Sequence, residues 1–164
     1  MGKADKTNVM RILERAKIPF EGFEYSPDLT EGILIAEILG EDNDLVFKTL
    51  VTESDKKEHF VFVIPVHKTL DLKAAARAVG VKSVSMLKQK ELLPLTGYIH
   101  GGCSPVGMKK PFTTVFHSTA EKLEFFYVSA GKVGRQIKVS PKALCDFIGA
   151  SFGDIIMSEV SRNA

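Results

Sequence analysis

The run GYIHGGCSPVGMKK, from Gly97 to Lys110, holds two residues of types that do covalent chemistry: His100 and, three positions on, Cys103. A cysteine attacks as its thiolate, so it needs a base or a positive neighbour to lose its proton. His59, His67 and His117 are further candidates for that base, brought near by folding. No local signature of a cysteine hydrolase surrounds Cys103. One cysteine and scattered histidines also lack the paired spacing of a zinc site, so no metal is expected. The same run offers backbone chemistry instead. Gly101 and Gly102 let a ligand approach the main chain, Pro105 stiffens the exit and Ser104 brings a hydroxyl. Consecutive amides in such a loop form a concavity for a carbonyl oxygen or an oxyanion, although a tight structural turn explains the string equally well. Gly131 and Gly134 in VSAGKVGRQ carry the same two readings.

A third chemical group sits in VFKTLVT. The period of two puts Lys48 on the face of Val46 and Leu50, a cation on what reads as a core face. Either its ammonium snorkels to water at the rim of the strand, or it lines a pocket that receives a negatively charged or carbonyl-bearing ligand.

These residues need a frame. Val9, Ile12, Leu13 and Ala16 recur at helical spacing, with Asp5 or Thr7 as cap and Pro19 as stop. FEGFEY reads as a strand, and EGILIAEILGEDND as a short helix closed by Gly40. LVFKTLVT and HFVFVIPV form a strand pair around the polar ESDKKE. Leu72, Ala75, Ala76 and Val79 make a helical stripe capped by Asp71 and closed by Gly80. PFTTVFH, LEFFYVS and RQIKVS are three more strands. Ser140 and Pro141 then open a last helix ended by Gly149. This order does not alternate strictly, which argues against a doubly wound parallel sheet. It predicts a single α+β (mixed α/β) domain over residues 1–164, with a curved, mostly antiparallel mixed sheet or partly closed barrel surrounded by helices.

At 164 residues and 45% apolar composition the chain supports one buried core. Two cysteines and no recognisable leader point to a reducing cytoplasm without disulfides. The longest apolar runs, ILIAEIL and FVFVIPV, are far too short to span a bilayer. A net charge of +2 conceals an asymmetry: eight acids and no base lie between Glu21 and Asp44. Six bases (Lys68, Lys73, Arg77, Lys82, Lys88 and Lys90) lie between Lys68 and Lys90 against the single acid Asp71. Such a stretch is either a solvated helix face or a surface for a phosphate backbone.

KIPFEGFEY, VFKTLV, LDLKAAARAVGVKSVSM, TGYIHGGCSPVGMKK and FYVSAGKVGRQIKVSP occur in an order that resembles the YbaK/EbsC-type aminoacyl-tRNA deacylases over nearly the whole length. These are relatives of the editing domain of bacterial prolyl-tRNA synthetases. The resemblance implies a cytoplasmic trans-editing hydrolase that deacylates mischarged tRNA(Pro), Cys-tRNA(Pro) first among them. Its implied partners are aminoacylated tRNA(Pro) and prolyl-tRNA synthetase, and it implies a monomer with no cofactor and no membrane. It also implies that Lys48 lies beside the aminoacyl ester with Gly101, Gly102 and Ser104 as the catalytic cradle. Tyr25, Thr49, Pro105, Gly107 and Gly131 would bind substrate. In this family the thiol of a cysteinyl substrate closes on its own carbonyl, so the protein positions and stabilises, and Cys103 becomes filler. The basic stretch, with Lys109 and Lys110, becomes a tRNA surface. The chain departs from the cysteine-editing pattern at TEGIL near Glu31, where relatives have an aromatic residue, and around Lys142 and Ala143, where they have an acid. These departures leave open alanyl-tRNA(Pro) or a broader substrate range; a non-catalytic module that holds an aminoacyl-adenosine in the same pocket is a separate alternative.

Overall fold

In a computed structural model, residues 5–26, 40 and 42–158 are described. Helix α1 (Asn8–Arg15) starts where Thr7 accepts a hydrogen bond from the Met10 amide, and it buries Val9, Met10 and Leu13. Strand β1 (Phe20–Glu24) follows. The helix expected over EGILIAEILGEDND falls almost wholly outside the described residues. The chain re-enters through a short 3-10 turn, Asn43–Leu45, capped by Asp42. Strands β2 (Phe47–Ser54) and β3 (His59–Pro65) then form the expected antiparallel pair.

Helix α2 (Leu72–Val79) has Asp71 accepting from the Lys73 and Ala74 amides and ends on left-handed Gly80. Helix α4 (Pro141–Ile148) is capped by Ser140, begins with Pro141 and stops at Gly149. Both match their sequence signals, because cap hydroxyl, carboxylate and glycine act locally. Strands β5 (Thr113–His117), β6 (Phe126–Ser129) and β7 (Arg135–Val139) are also where they were expected. Four elements were not anticipated: strand β4 (Val84–Met86), helix α3 (Gln89–Thr96), strand β8 (Ser151–Gly153) and a 3-10 helix, Ser118–Lys122. The two strands are three residues long, and α3 contains Pro94 and only one buried residue, Thr96. Periodicity has little to register in such segments.

The strands make two sheets, one of three strands in the order β1-β7-β6 and one of five in the order β4-β2-β3-β5-β8. β3 with β5 and β5 with β8 are parallel, while the other pairings are antiparallel. The mixed, mostly antiparallel α+β domain was expected; among the described residues it forms two sheets and no closed barrel. In β3, Val61 and Val63 enter one core with Phe116, Phe126, Ile137, Leu13 and Leu144, whereas Phe60, Phe62 and Ile64 enter a second with Ala75 and Ala76 of α2. Burial on both faces is why HFVFVIP is a continuous apolar run. The sheets are joined where Phe126 of β6 meets Phe47 of β2 at 5.1 Å and Phe116 of β5 at 5.6 Å, centroid to centroid. A parallel bridge between Val46 and Tyr127 sits at the same junction.

Candidate active site

A cleft of about 170 Å3 opens where the start of β2 meets the β6–β7 hairpin and the glycine loop. Val46, Phe47, Lys48, Thr49 and Leu50 line it from β2 and the residue before it. Ser129 and Gln136, direct cross-strand partners on β6 and β7, line it from the other sheet. Leu92 of α3, His100, Gly101, Cys103 and Val66 complete the wall. Lys48 shares strand parity with Leu50, which packs on the second core, and the lysine itself is half-buried at the mouth of the cleft. Burial holds its ammonium below the ordinary lysine pKa. Among the described residues no carboxylate pairs with it. Both readings of Lys48 therefore meet in one place: the cation is at a strand end, and that end is a cleft wall.

Two polar atoms in this wall are buried without a hydrogen-bond partner among the described residues, Thr49 Oγ1 and Gln136 Oε1. An orphaned buried polar atom costs about 1–3 kcal/mol, so it marks a place where something else completes the bonding. Gln136 is 5% exposed, and its Nε2 donates to the Tyr25 hydroxyl at 3.3 Å. Tyr25 is itself buried, which pushes its hydroxyl pKa up and keeps it a neutral phenol. Ser129 Oγ accepts from the Gly131 amide at 3.1 Å, tying the wall to the hairpin turn.

The residues singled out in the sequence separate into four sets. Lys48, Thr49 and Gly101 line the cleft together. Tyr25 stands behind it, in contact through Gln136. Gly102, Ser104 and Pro105 are buried within the loop and are not part of the wall. A Cβ on Gly102 would lie 2.8 Å from the Val133 backbone nitrogen, so this glycine is required by the close approach of the loop to the β6–β7 turn. Ser104 Oγ accepts from the Val106 amide at 3.1 Å, as a turn hydroxyl does. Gly107 and Gly131 border a separate cavity with Thr7, Tyr98, Lys109 and Lys132. Gly101 has φ +88°, a conformation open to glycine, and it presents backbone to the cleft. Gly134 has φ +88° in the β6–β7 turn, and its carbonyl accepts from the Tyr25 amide.

Burial raises the Cys103 thiol to about 12, so it is protonated at neutral pH. The candidate bases are placed elsewhere or exposed: His59 pairs with Glu53 at 3.2 Å, His67 with Asp44 at 3.1 Å, and buried His117 Nδ1 accepts from the Ile155 amide at 3.3 Å. His100 lines the cleft but is exposed. The described residues contain no cluster of histidine, cysteine and carboxylate that could hold a metal. No described helix is long and apolar enough to cross a membrane. Lys73, Arg77, Lys82, Lys88, Lys90, Lys109 and Lys110 are all exposed. Lys90 shares the short α3 helix with Leu92 of the cleft wall. Sequence reasoning overlooked Ser129, Gln136 and Leu92. The first two had a signal: polar residues in strand runs on either side of a glycine turn, placed opposite each other by the hairpin. The departure at TEGIL falls outside the described residues, and Lys142 and Ala143 on α4 do not line the cleft.

Residues 34–147 match the model of the aminoacyl-tRNA editing domain. The chain is 44% identical over 156 residues to EbsC of Enterococcus faecalis, a candidate Cys-tRNA(Pro)/Cys-tRNA(Cys) deacylase, covering 94% of this chain and 95% of that one. The fold superposes on a candidate trans-editing enzyme for prolyl-tRNA synthetase with a TM-score of 0.81 at 22% identity, covering 94% of this chain and 100% of the other. It also superposes on the hypothetical protein APE2540 with a TM-score of 0.84 at 22% identity, over 91% of this chain and 99% of the other.

Proposed function

The chain belongs to the aminoacyl-tRNA editing domain family, and from that premise we propose that its 164 residues form one trans-editing hydrolase that removes cysteine from mischarged tRNA(Pro). The observation that carries this reading is the cleft itself: among the described residues, a half-buried lysine with no carboxylate partner, a glycine backbone and two buried polar atoms without a hydrogen-bond partner stand around a space of about 170 Å3. That space suits a small amino acid at the end of an RNA, and the apolar part of its wall, Val46, Phe47, Val66, Leu92 and Cys103, favours an uncharged side chain.

In this reading the protein binds, orients and stabilises. Lys48 sits beside the ester and offsets the negative charge that grows on the carbonyl oxygen, helped by the main chain at Gly101. Thr49 Oγ1 completes its bonding on the ester or the terminal ribose. The substrate thiol, held near its own carbonyl, attacks the ester carbon. The new C–S bond forms as the C–O bond to the ribose breaks, the thiol proton passes through water to the departing ribose oxygen, and a cyclic thioester leaves. Holding the two groups in register supplies most of the acceleration. Cys103 takes no part, since its thiol keeps its proton. The exposed bases from Lys73 to Lys90, with Lys109 and Lys110, receive the tRNA backbone, and the protein acts as a monomer in the cytoplasm, alone or with prolyl-tRNA synthetase.

Multiple-turnover deacylation of tRNA(Pro) charged with cysteine, alanine or proline tests the assignment. Rapid loss of cysteine alone supports it; preferential loss of alanine moves the specificity to alanyl-tRNA(Pro), and saturable binding without turnover leaves a binding module.

A further inference from the structure

One buried group of the cleft has no part in this chemistry. Gln136 lines the cleft at 5% exposure, its Nε2 is committed to the Tyr25 hydroxyl at 3.3 Å, and its Oε1 is buried with no partner among the described residues. With Nε2 given to the Tyr25 hydroxyl, the free end of the amide is its carbonyl oxygen, a pure acceptor. The cleft wall carries exposed His100 and half-buried Gly101, while Gln136 and Ser129 are the more deeply buried polar side chains, so in the editing reading an RNA end enters on the His100 side. The amino acid is the leading tip of an aminoacyl-tRNA, so the deep acceptor meets the acyl group rather than the ribose. On that group the α-amine is the donor common to every aminoacyl ester, and it donates without accepting when protonated.

We propose that Gln136 is a specificity-determining residue whose Oε1 accepts a hydrogen bond from the substrate's α-amino group, with Tyr25 as the positioning residue that holds the amide in that orientation. The inference rests on the editing reading of the cleft and adds to it. The hydrophobic wall selects the size of the side chain, and Gln136 verifies that the ester carries an amine. Esters of simple carboxylic acids are thereby turned away, because binding them leaves the buried acceptor unpaired. Tyr25→Phe removes the hydroxyl that orients the amide but not the acceptor, so it weakens the same discrimination without abolishing it.

The test compares two substrates differing only in the amine: cysteinyl-tRNA(Pro) and 3-mercaptopropionyl-tRNA(Pro). Wild-type protein should prefer the first by about 10- to 100-fold in kcat/KM, the range of one hydrogen bond to a charged donor. Gln136→Met keeps the length of the side chain and should bring that ratio close to one, mainly by slowing the cysteinyl substrate. Gln136→Glu, which can only accept, should preserve or raise it. The same pairs as non-hydrolysable 3′-amide adenosine analogues, titrated calorimetrically, read the hydrogen bond in affinity without turnover. Amine-selective binding without turnover would sink the deacylase reading and keep this one. Full amine preference in Gln136→Met, with its melting temperature near wild type, would overturn the inference. So would a Gln136→Glu variant that loses the preference, because the amide would then have been serving as a donor. If Gln136→Met misfolds, the Gln136→Glu result decides.

Discussion

Lys48 is the residue on which the cleft's electrostatics turn. Replacing it with alanine should reduce deacylation about 100- to 1,000-fold, the usual effect of removing one donor to a developing oxyanion, with the melting temperature nearly unchanged because the side chain is half-exposed and forms no ion pair among the described residues. A variant that keeps full turnover would remove it from the mechanism. Cys103→Ser should retain activity, since a thiol raised to about 12 contributes no thiolate at neutral pH. Gly102→Ala, by contrast, should destabilise the protein by about 1–3 kcal/mol by overpacking against the Val133 backbone, visible in denaturant unfolding. The lysine was visible in the sequence as a charge that broke the apolar alternation of its strand. The division of labour among Gly101, Gly102 and Ser104 was not, because composition shows that a loop is special without showing which glycine meets a ligand and which meets the chain's own backbone. Gln136 stayed hidden because its partner, Tyr25, is 111 positions away.

Elements with strong local signals were legible and the others were not. α2 and α4 carry their stops and starts in Asp71, Gly80, Ser140, Pro141 and Gly149, so cap chemistry placed them to the residue. Ser140→Ala should cost about 1 kcal/mol, read as a melting temperature lower by about 3 °C. α3 escaped notice because Pro94 interrupts it, and β8 because three residues define a strand only through the neighbour they pair with, here β5. The β5–β8 edge also carries a pH dependence. Burial lowers the pKa of His117, although Asp154 opposes the shift, and its Nδ1 must be unprotonated to accept the Ile155 amide. The folded state favours the neutral ring, so this contribution to stability is complete above about pH 6.5, the unfolded value, and is lost as pH falls through the lower folded value. The protection factor of the Ile155 amide, its intrinsic exchange rate at each pH divided by the observed one, should decrease below that pH in the wild type. A protection factor that does not change with pH over the whole range in which the fold persists would show that the ring does not titrate in the fold.

At the scale of the whole molecule, the acidic stretch and the basic stretch were plain in the sequence, but a charge run does not say where its lysines stand relative to a cleft. The structure exposes Lys73, Arg77, Lys82, Lys88 and Lys90 and sets the last on the helix that gives the cleft Leu92. Reversing Lys73 and Arg77 to glutamate should weaken tRNA affinity and make the slope of log K against log salt shallower by about one for each phosphate no longer neutralised. An unchanged slope would assign these residues to a solvated face. The two-sheet architecture was likewise beyond local pattern, since the packing of Phe126 on Phe47 that helps join the sheets brings together residues far apart in the chain. The central claim is that a cleft without a protein nucleophile removes the amino acid by holding the ester beside Lys48. Its most direct test is single-turnover hydrolysis of cysteinyl-tRNA(Pro) by wild type, Lys48→Ala and Cys103→Ala side by side. The wild-type and Cys103→Ala proteins should both deacylate the tRNA with release of a cyclic thioester, and Lys48→Ala should be about 100- to 1,000-fold slower. An inactive Cys103→Ala protein beside an active Lys48→Ala protein would contradict this claim.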